Sequence, residues 1–376
     1  MDHKTAVEKL EAIEREVDVN GFQYQGVCVW PVVRRLLYPC FLRGKKAGKA
    51  LTGSRRNIFL KGFDAITACL PKALRAQTIQ RASLRLPESH LKRLRDQAGQ
   101  HEVLFFCQSK EYQDVLDGQH YNRFSDPFID FFSGKISIGK VELSDGISKQ
   151  ITPRKHDAIV LEPAWVTRTV KLKKNVEIQG WNELSQSFRN ICPCSLEETV
   201  VVQYLEAVNR YKRLFFEVFS ALRPKVVFLT CYYHPIGMGL IQACHALGVP
   251  TVDYQHGKQG KFHGMYTHWT AMPRQGYELL PDWFWAWGEE SKDNIERHQP
   301  AGIARHRAVV GGNLWLSGWV QGKIHMDAGQ ERELEEMLAG RKAILVSLQP
   351  LDNPIPEFCL EAVSYTHLTL PTKRIV

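Results

Sequence analysis

The residues with the most chemistry to offer lie where a short apolar run ends. Thr251-Val252-Asp253-Tyr254 passes directly into Gln255-His256-Gly257. A run of that kind reads as a buried strand, and in open α/β sheets ligands bind outside the carboxyl ends of the strands. A histidine placed there can take up a proton near neutral pH, and a glycine beside it lets a ligand come close. A loop histidine hydrogen-bonded for structural reasons fits the same residues. Lys258, Lys261, His263 and His268 line the loop that follows. Histidines at 256, 263 and 268 have no common metal-ligand spacing, and no carboxylate or thiol lies among them, so no metal is expected.

Two further segments offer polar groups. Asp117-Gly-Gln-His-Tyr-Asn-Arg-Phe-Ser-Asp-Pro127 follows another apolar run, and His120, Asn122, Arg123 and Asp126 can contact hydroxyls or a phosphate. Asp-Gly and Asp-Pro are also turn formers in their own right. Tyr233-His234-Pro-Ile-Gly-Met-Gly239 opens a helix whose first N–H groups can hold an anion, or is a plain strand-to-helix turn. Trp269, Trp283, Trp285 and Trp287 suit stacking on rings, while the alternation of the last three equally describes one face of a half-buried strand.

These groups need a framework, and the pattern of the chain supplies one. Val103–Cys107 and Asp157–Leu161 read as buried strands, and residues 197–222 as a long helix stopped by Arg223-Pro224. The spacing then predicts strand 225–230, helix 237–247, a Gly248-Val-Pro250 turn and strand 251–254. Strand 284–287, helix 289–298, strand 308–310, helix 330–339 and strand 343–347 continue the alternation. Such βαβ repetition implies a largely parallel sheet. An N-terminal helix over 4–17 precedes it, and residues 315–330 suit a crossover between domains.

The 376 residues, 44% hydrophobic and 24% charged, exclude a disordered tail, a collagen-like repeat and a disulfide-stapled miniprotein. Nine dispersed cysteines with no CxxC pair point to reduced thiols in a cytosolic protein. The first twenty residues are too charged for a signal peptide, and no apolar run approaches a membrane span. The net charge of +9 is uneven: from Arg34 to Arg95 there are 16 Lys and Arg against Asp64 and Glu88 alone. That field favours a polyanionic partner, and its apolar interleaving suits an anionic membrane surface met through residues 34–95, although a solvated helical face fits the same charge. No zinc-finger or aromatic nucleic-acid signature accompanies it, so nucleic acid is not expected as a partner.

The run from Arg223 to Gly312 resembles the N-terminal half of bacterial two-Rossmann (GT-B) glycosyltransferases that build capsules and other surface polysaccharides. The resembling pieces are Leu222-Arg-Pro-Lys-Val-Val-Phe-Leu229, Ala246-Leu-Gly-Val-Pro-Thr251, Gln255-His256-Gly257, Leu280-Pro-Asp-Trp283 with Trp287-Gly288, and Val309-Val-Gly-Gly-Asn313. The opening Gly26-Val-Cys-Val-Trp-Pro-Val-Val-Arg34 looks like the start of such proteins. One departure is Leu314, where the family usually has proline. The resemblance implies an α/β, GT-B-like fold and transfer of a sugar or sugar-phosphate from a nucleotide donor to a capsule, lipopolysaccharide or other glycan or lipid-linked acceptor. It implies no cofactor beyond the nucleotide-sugar substrate. By likeness to related teichoic-acid polymerases, His256 is the catalytic base, with Gly257 leaving room for the acceptor. Gln255, His234, Arg123, Asp126 and Lys258 are the other expected substrate contacts. A sugar-nucleotide epimerase of similar architecture and a non-catalytic glycan-binding or export module are the alternatives.

Val363-Ser-Tyr-Thr-His-Leu-Thr-Leu-Pro-Thr372 matches a transposase-type sequencing adaptor translated in frame, so residues 363–376 are read as non-native. The expected organisation is a basic helical segment over 1–100, a Rossmann-like acceptor domain over 101–325, and the start of a truncated nucleotide-sugar-binding domain over 326–362. Such a chain is expected to be an inactive fragment of a cytoplasmic enzyme, peripheral at the inner membrane face.

Overall fold

The computed structural model describes residues 2–43, 86, 88–144, 151–161, 177–191, 196–325 and 328–341. The chain divides into two units, 1–325 and 326–376. In the second unit the described element is a helix, Ala328–Leu338. Everything below concerns the first.

Its centre is a seven-stranded sheet. β1 (Gln23–Tyr24) and β2 (Val27–Cys28) form a separate small ribbon, as do β4 (Asp114–Leu116) and β5 (Gln119–Tyr121). The main sheet contains β3 (Val103–Gln108), β6 (Ile138–Leu143), β7 (Ile159–Leu161), β8 (Val226–Thr230), β9 (Thr251–Tyr254), β10 (Trp283–Ala286) and β11 (Arg307–Val310). Its order is β11-β10-β9-β8-β3-β6-β7, and every neighbouring pair is parallel. The chain therefore starts in the middle at β3, walks outward through β6 and β7, then returns to β8 and walks the other way. This is a Rossmann-like α/β architecture, with its topological switch point between β3 and β8.

Parallel strands covered on both faces need apolar residues on both, which is why alternation fails to show in their sequences. Leu104, Phe106, Val227 and Leu229 join one core with the helices α1 (His3–Glu16), α2 (Trp30–Arg43), α6 (Glu198–Leu222) and α7 (Pro235–Leu247). Phe105, Phe228, Val252 and Tyr254 face the other way. They pack with Phe128 of α4 (Asp126–Phe132), Leu314 and Trp285. Short helices α3 (Glu88–Asp96), α5 (Trp181–Ile191) and α8 (Glu289–Glu296) complete the layers, and α9 (Leu314–Val320) follows β11.

Two glycine pairs show how close the packing is. A Cβ on Gly239 would lie 2.5 Å from Tyr211 Cβ and 2.7 Å from the Val208 carbonyl, so α7 rests directly on the α6 backbone. Gly239 thus serves helix packing, while Gly237 lets the Tyr232 backbone fold close against the start of α7. After β11, a Cβ on Gly311 would lie 2.0 Å from the Trp285 ring, Gly312 has φ +82°, and Asn313 caps α9 by accepting from Leu316 N. That turn works with Leu314, which is buried in the core where the family-like pattern has proline.

The structure corrects the reading of the start of the basic segment. α2 is a core helix: Val32, Val33, Leu37 and Phe41 are fully buried. Arg34, with 0% exposure, donates from Nη1 to Glu14 Oε1 at 2.5 Å and from its other nitrogens to the carbonyls of Gly264, Thr267 and His268. Arg34 therefore cannot meet a membrane surface. The cations from Lys45 to Arg85 lie outside the described residues. Among the described residues, no helix is long and apolar enough to cross a membrane.

Candidate functional site

The carboxyl ends of β3, β8 and β9 lie side by side around the switch point, and each delivers ionisable groups. Beyond β3, the 109–111 turn carries Lys110 and Glu111. Beyond β8 come Cys231, Tyr233 and His234, and beyond β9 come Gln255, His256 and Gly257. From the N-terminal part, Arg35 of α2 donates Nε to the Tyr233 carbonyl at 3.0 Å.

Glu111 joins two of these strands. Thr230 Oγ1, at the last residue of β8, donates to Glu111 Oε1 at 2.9 Å, and Asn122 Nδ2 donates to Oε2 at 3.4 Å. Burial pushes the Glu111 carboxyl above its ordinary value, with Thr230 among the groups that oppose the rise. His234 caps α7: its Nδ1 accepts from Gly237 N at 3.1 Å, which leaves the proton on Nε2, and that atom is buried without a partner. Burial holds His234 down at about 3, and Lys110, Arg35 and His256 push the same way.

The neighbouring histidines each spend a ring nitrogen on a cap or a loop contact. His234 caps a helix, and His263 Nδ1 accepts from Met265 N at 3.4 Å. His268 sits between Glu11 and the Lys261 carbonyl, and His306 Nε2 accepts from Tyr277 N. His256 Nδ1 is buried with no hydrogen-bond partner. Burial lowers its pKa below the ordinary value, a shift that the Tyr254 backbone opposes. A neutral imidazole at a strand's carboxyl end can accept a proton. Gly257 has open space where a Cβ would stand and no left-handed φ, so nothing within the described residues calls for glycine there.

The other sequence-expected residues are placed as follows. Gln255 is buried; Nε2 donates to the Gly257 carbonyl and Oε1 accepts from Trp287 N at 2.7 Å, so its side chain ties the β9 loop to β10. Lys258 is exposed. Arg123 forms a two-pronged pair with Asp114, both contacts 2.8 Å. Asp126 is wholly buried against Lys140 Nζ at 2.7 Å, and any solute reaching it would have to displace that lysine. Among the tryptophans, Trp269 is core and lies under the Arg34 guanidinium, Trp285 packs on Phe128, and Trp283 is exposed.

Lys110, Glu111, Thr230 and Arg35 escaped the sequence reading. The rule that drew attention to the end of β9 applies equally to β3, and Ser109-Lys110-Glu111 follows that strand directly. Asp253 was also missed. It sits inside β9 with both carboxyl oxygens buried, and burial drives it up to about 8, against the pull of the Tyr266 hydroxyl and of the Tyr232 and Cys231 backbone.

No family model matches the chain, and no curated protein matches it. Among solved structures six chains match, including the UDP-GlcNAc 2-epimerase from Neisseria meningitidis bound to UDP-GlcNAc. That chain is 14% identical, with 64% of this chain and 55% of that one covered and a TM-score of 0.34. This chain therefore spans little more than half of its length. A likeness so distant assigns no activity.

Proposed function

We propose that this chain forms the acceptor-binding part of a nucleotide-sugar-dependent glycosyltransferase for a surface glycan, with the crevice at the β3–β8–β9 ends as its site. The observation that carries the reading is the placement of His256, just past a strand's carboxyl end with Nδ1 buried and without a hydrogen-bond partner. In this reading His256 takes the acceptor hydroxyl proton while that oxygen attacks the anomeric carbon, and the nucleoside diphosphate leaves with the bonding pair. Gly257 leaves the acceptor room, and Lys110, Arg35 and the Nε2–H of His234 supply positive potential and a donor beside it. Contact with an anionic membrane, on this reading, belongs to the cations between Lys45 and Arg85.

The test begins with the gene, re-amplified from source DNA and read through codon 362. The recovered chain is then assayed with nucleotide sugars and glycan acceptors. Sugar transfer that depends on His256 supports the reading. Epimerisation of the nucleotide sugar without acceptor moves the chain to the epimerase class, and glycan binding with no donor turnover moves it to the non-catalytic one.

A further inference from the structure

The fold brings together three side chains that sequence spacing keeps apart. Glu11 lies on α1, His268 in the loop that follows His256, and His298 just past α8. Their ligand atoms lie within 4.8 Å of one another. His268 is buried, while Glu11 and His298 are partly exposed, so the cluster has a solvent side.

The bonding of His268 makes this more than a cluster. Its Nε2 lies 3.0 Å from the Lys261 carbonyl, which can only accept, so Nε2 carries a proton. Its Nδ1 faces Glu11 Oε1 at 2.6 Å. Two lone pairs at that separation repel, so a positive charge belongs between them, either a proton or a metal ion. A ring N–H held by a backbone carbonyl is the orienting contact found at metal-ligating histidines. The His298 ring stacks on His268 with centroids 3.7 Å apart, placing a second imidazole at the same charge. His268 is also held in a left-handed conformation, φ +61°, with the Arg34 guanidinium bonded to its carbonyl. Strain of this kind in a non-glycine residue collects at sites with a task.

We infer that Glu11, His268 and His298 form a binding site for a divalent transition metal, best matched by zinc, with water completing the coordination. Two imidazoles and a carboxylate are a zinc-type ligand set. With Zn–N and Zn–O near ~2.1 Å, the Glu11–His268 pair opens by less than about 1 Å and the His298 ring turns out of its stack. The bound ion joins α1 to the loop that carries His256 and Lys261. The histidine trio at 256, 263 and 268 gave no metal because the carboxylate comes from the other end of the unit.

The test is zinc titration of the full 376-residue chain, stripped with chelator, followed by calorimetry and by X-ray absorption at the zinc edge. The inference expects one zinc per chain, an edge spectrum with two imidazole ligands, and binding at least tenfold weaker in both Glu11→Gln and His298→Ala. His298 is partly exposed, so its variant should fold, and circular dichroism of both variants establishes that. His101→Ala, elsewhere on the surface, should bind as the parent does. No stoichiometric zinc in the parent chain overturns the inference. So does undiminished binding in the two folded variants, which would place the ion on other surface histidines.

Discussion

Thr230, the last residue of β8, donates its hydroxyl to the carboxylate of Glu111 beyond β3, across 2.9 Å. That bond bridges the two parallel strands between which the order of strand addition reverses, so it fixes the floor of the proposed site. Thr230→Val keeps the shape and removes the donor. Leaving a largely buried carboxylate short of one partner costs about 1–3 kcal/mol. Because Thr230 favours the ionised form, the loss should be greater at pH 8 than at pH 4. Urea unfolding at both pH values checks the magnitude and the sign; an equal loss at both would mean that Glu111 stays protonated throughout.

The Arg34–Glu14 pair anchors the N-terminal helices to the segment after the His256 loop. Glu14 Oε2 accepts from Thr270 N and Ala271 N, so both ions are embedded in further hydrogen bonds. Removing one partner strands a buried charge. Arg34→Ala should cost about 3–5 kcal/mol, and Glu14→Gln less, because the amide still offers Arg34 an acceptor. Chemical denaturation of both variants tests the ranking.

Stability should depend on pH through groups of opposite sign. Burial depresses His234 and His306 to about 3 and His263 to about 4, below the ordinary imidazole value. Their contribution is present above pH ~6.5 and is lost as pH falls toward those folded values. Asp253 is raised to about 8, so its contribution is complete below pH ~4 and is lost as pH rises through about 8. Asp253→Asn should therefore gain on the parent chain between pH 5 and pH 8, by at most ~1.4 kcal/mol per pH unit. Unfolding measured at those two pH values reads the difference, and a gap that does not change would contradict a buried, protonated Asp253.

Gly311 has no room for a side chain beneath Trp285. Gly311→Ala should destabilise by about 1–3 kcal/mol and lower the melting temperature. Gly257→Ala, where the added methyl meets open space, should leave the melting temperature near that of the parent. If Gly257 serves an acceptor, its variant should instead weaken acceptor binding.

The frame was legible where local pattern and burial agree. The stretch from α6 to β11 follows the predicted alternation because Val226–Thr230 and Thr251–Tyr254 are short apolar runs cut by turn formers. β6 was not legible: Ile138–Leu143 carries Lys140 and Glu142, and only tertiary partners, Asp126 for one and Ser109 and Arg154 for the other, let those charges be buried. The helix Leu314–Val320, which Asn313 caps, was not foreseen at the start of the 315–330 segment. In the candidate site, His256 stood out because it ends a visible strand. Thr230 and Glu111 did not, because each looks ordinary alone and their pairing depends on β3 and β8 being neighbours.

The central claim is that His256 acts as the base in this crevice. The most direct measurement is the pH dependence of sugar transfer by the chain expressed from its re-read gene, with His256 present and with His256→Ala. The account predicts a fall in kcat of about 10²–10⁴-fold and loss of the limb on which activity rises with pH. A variant that keeps kcat within a few-fold and retains that limb would show that another group takes the proton.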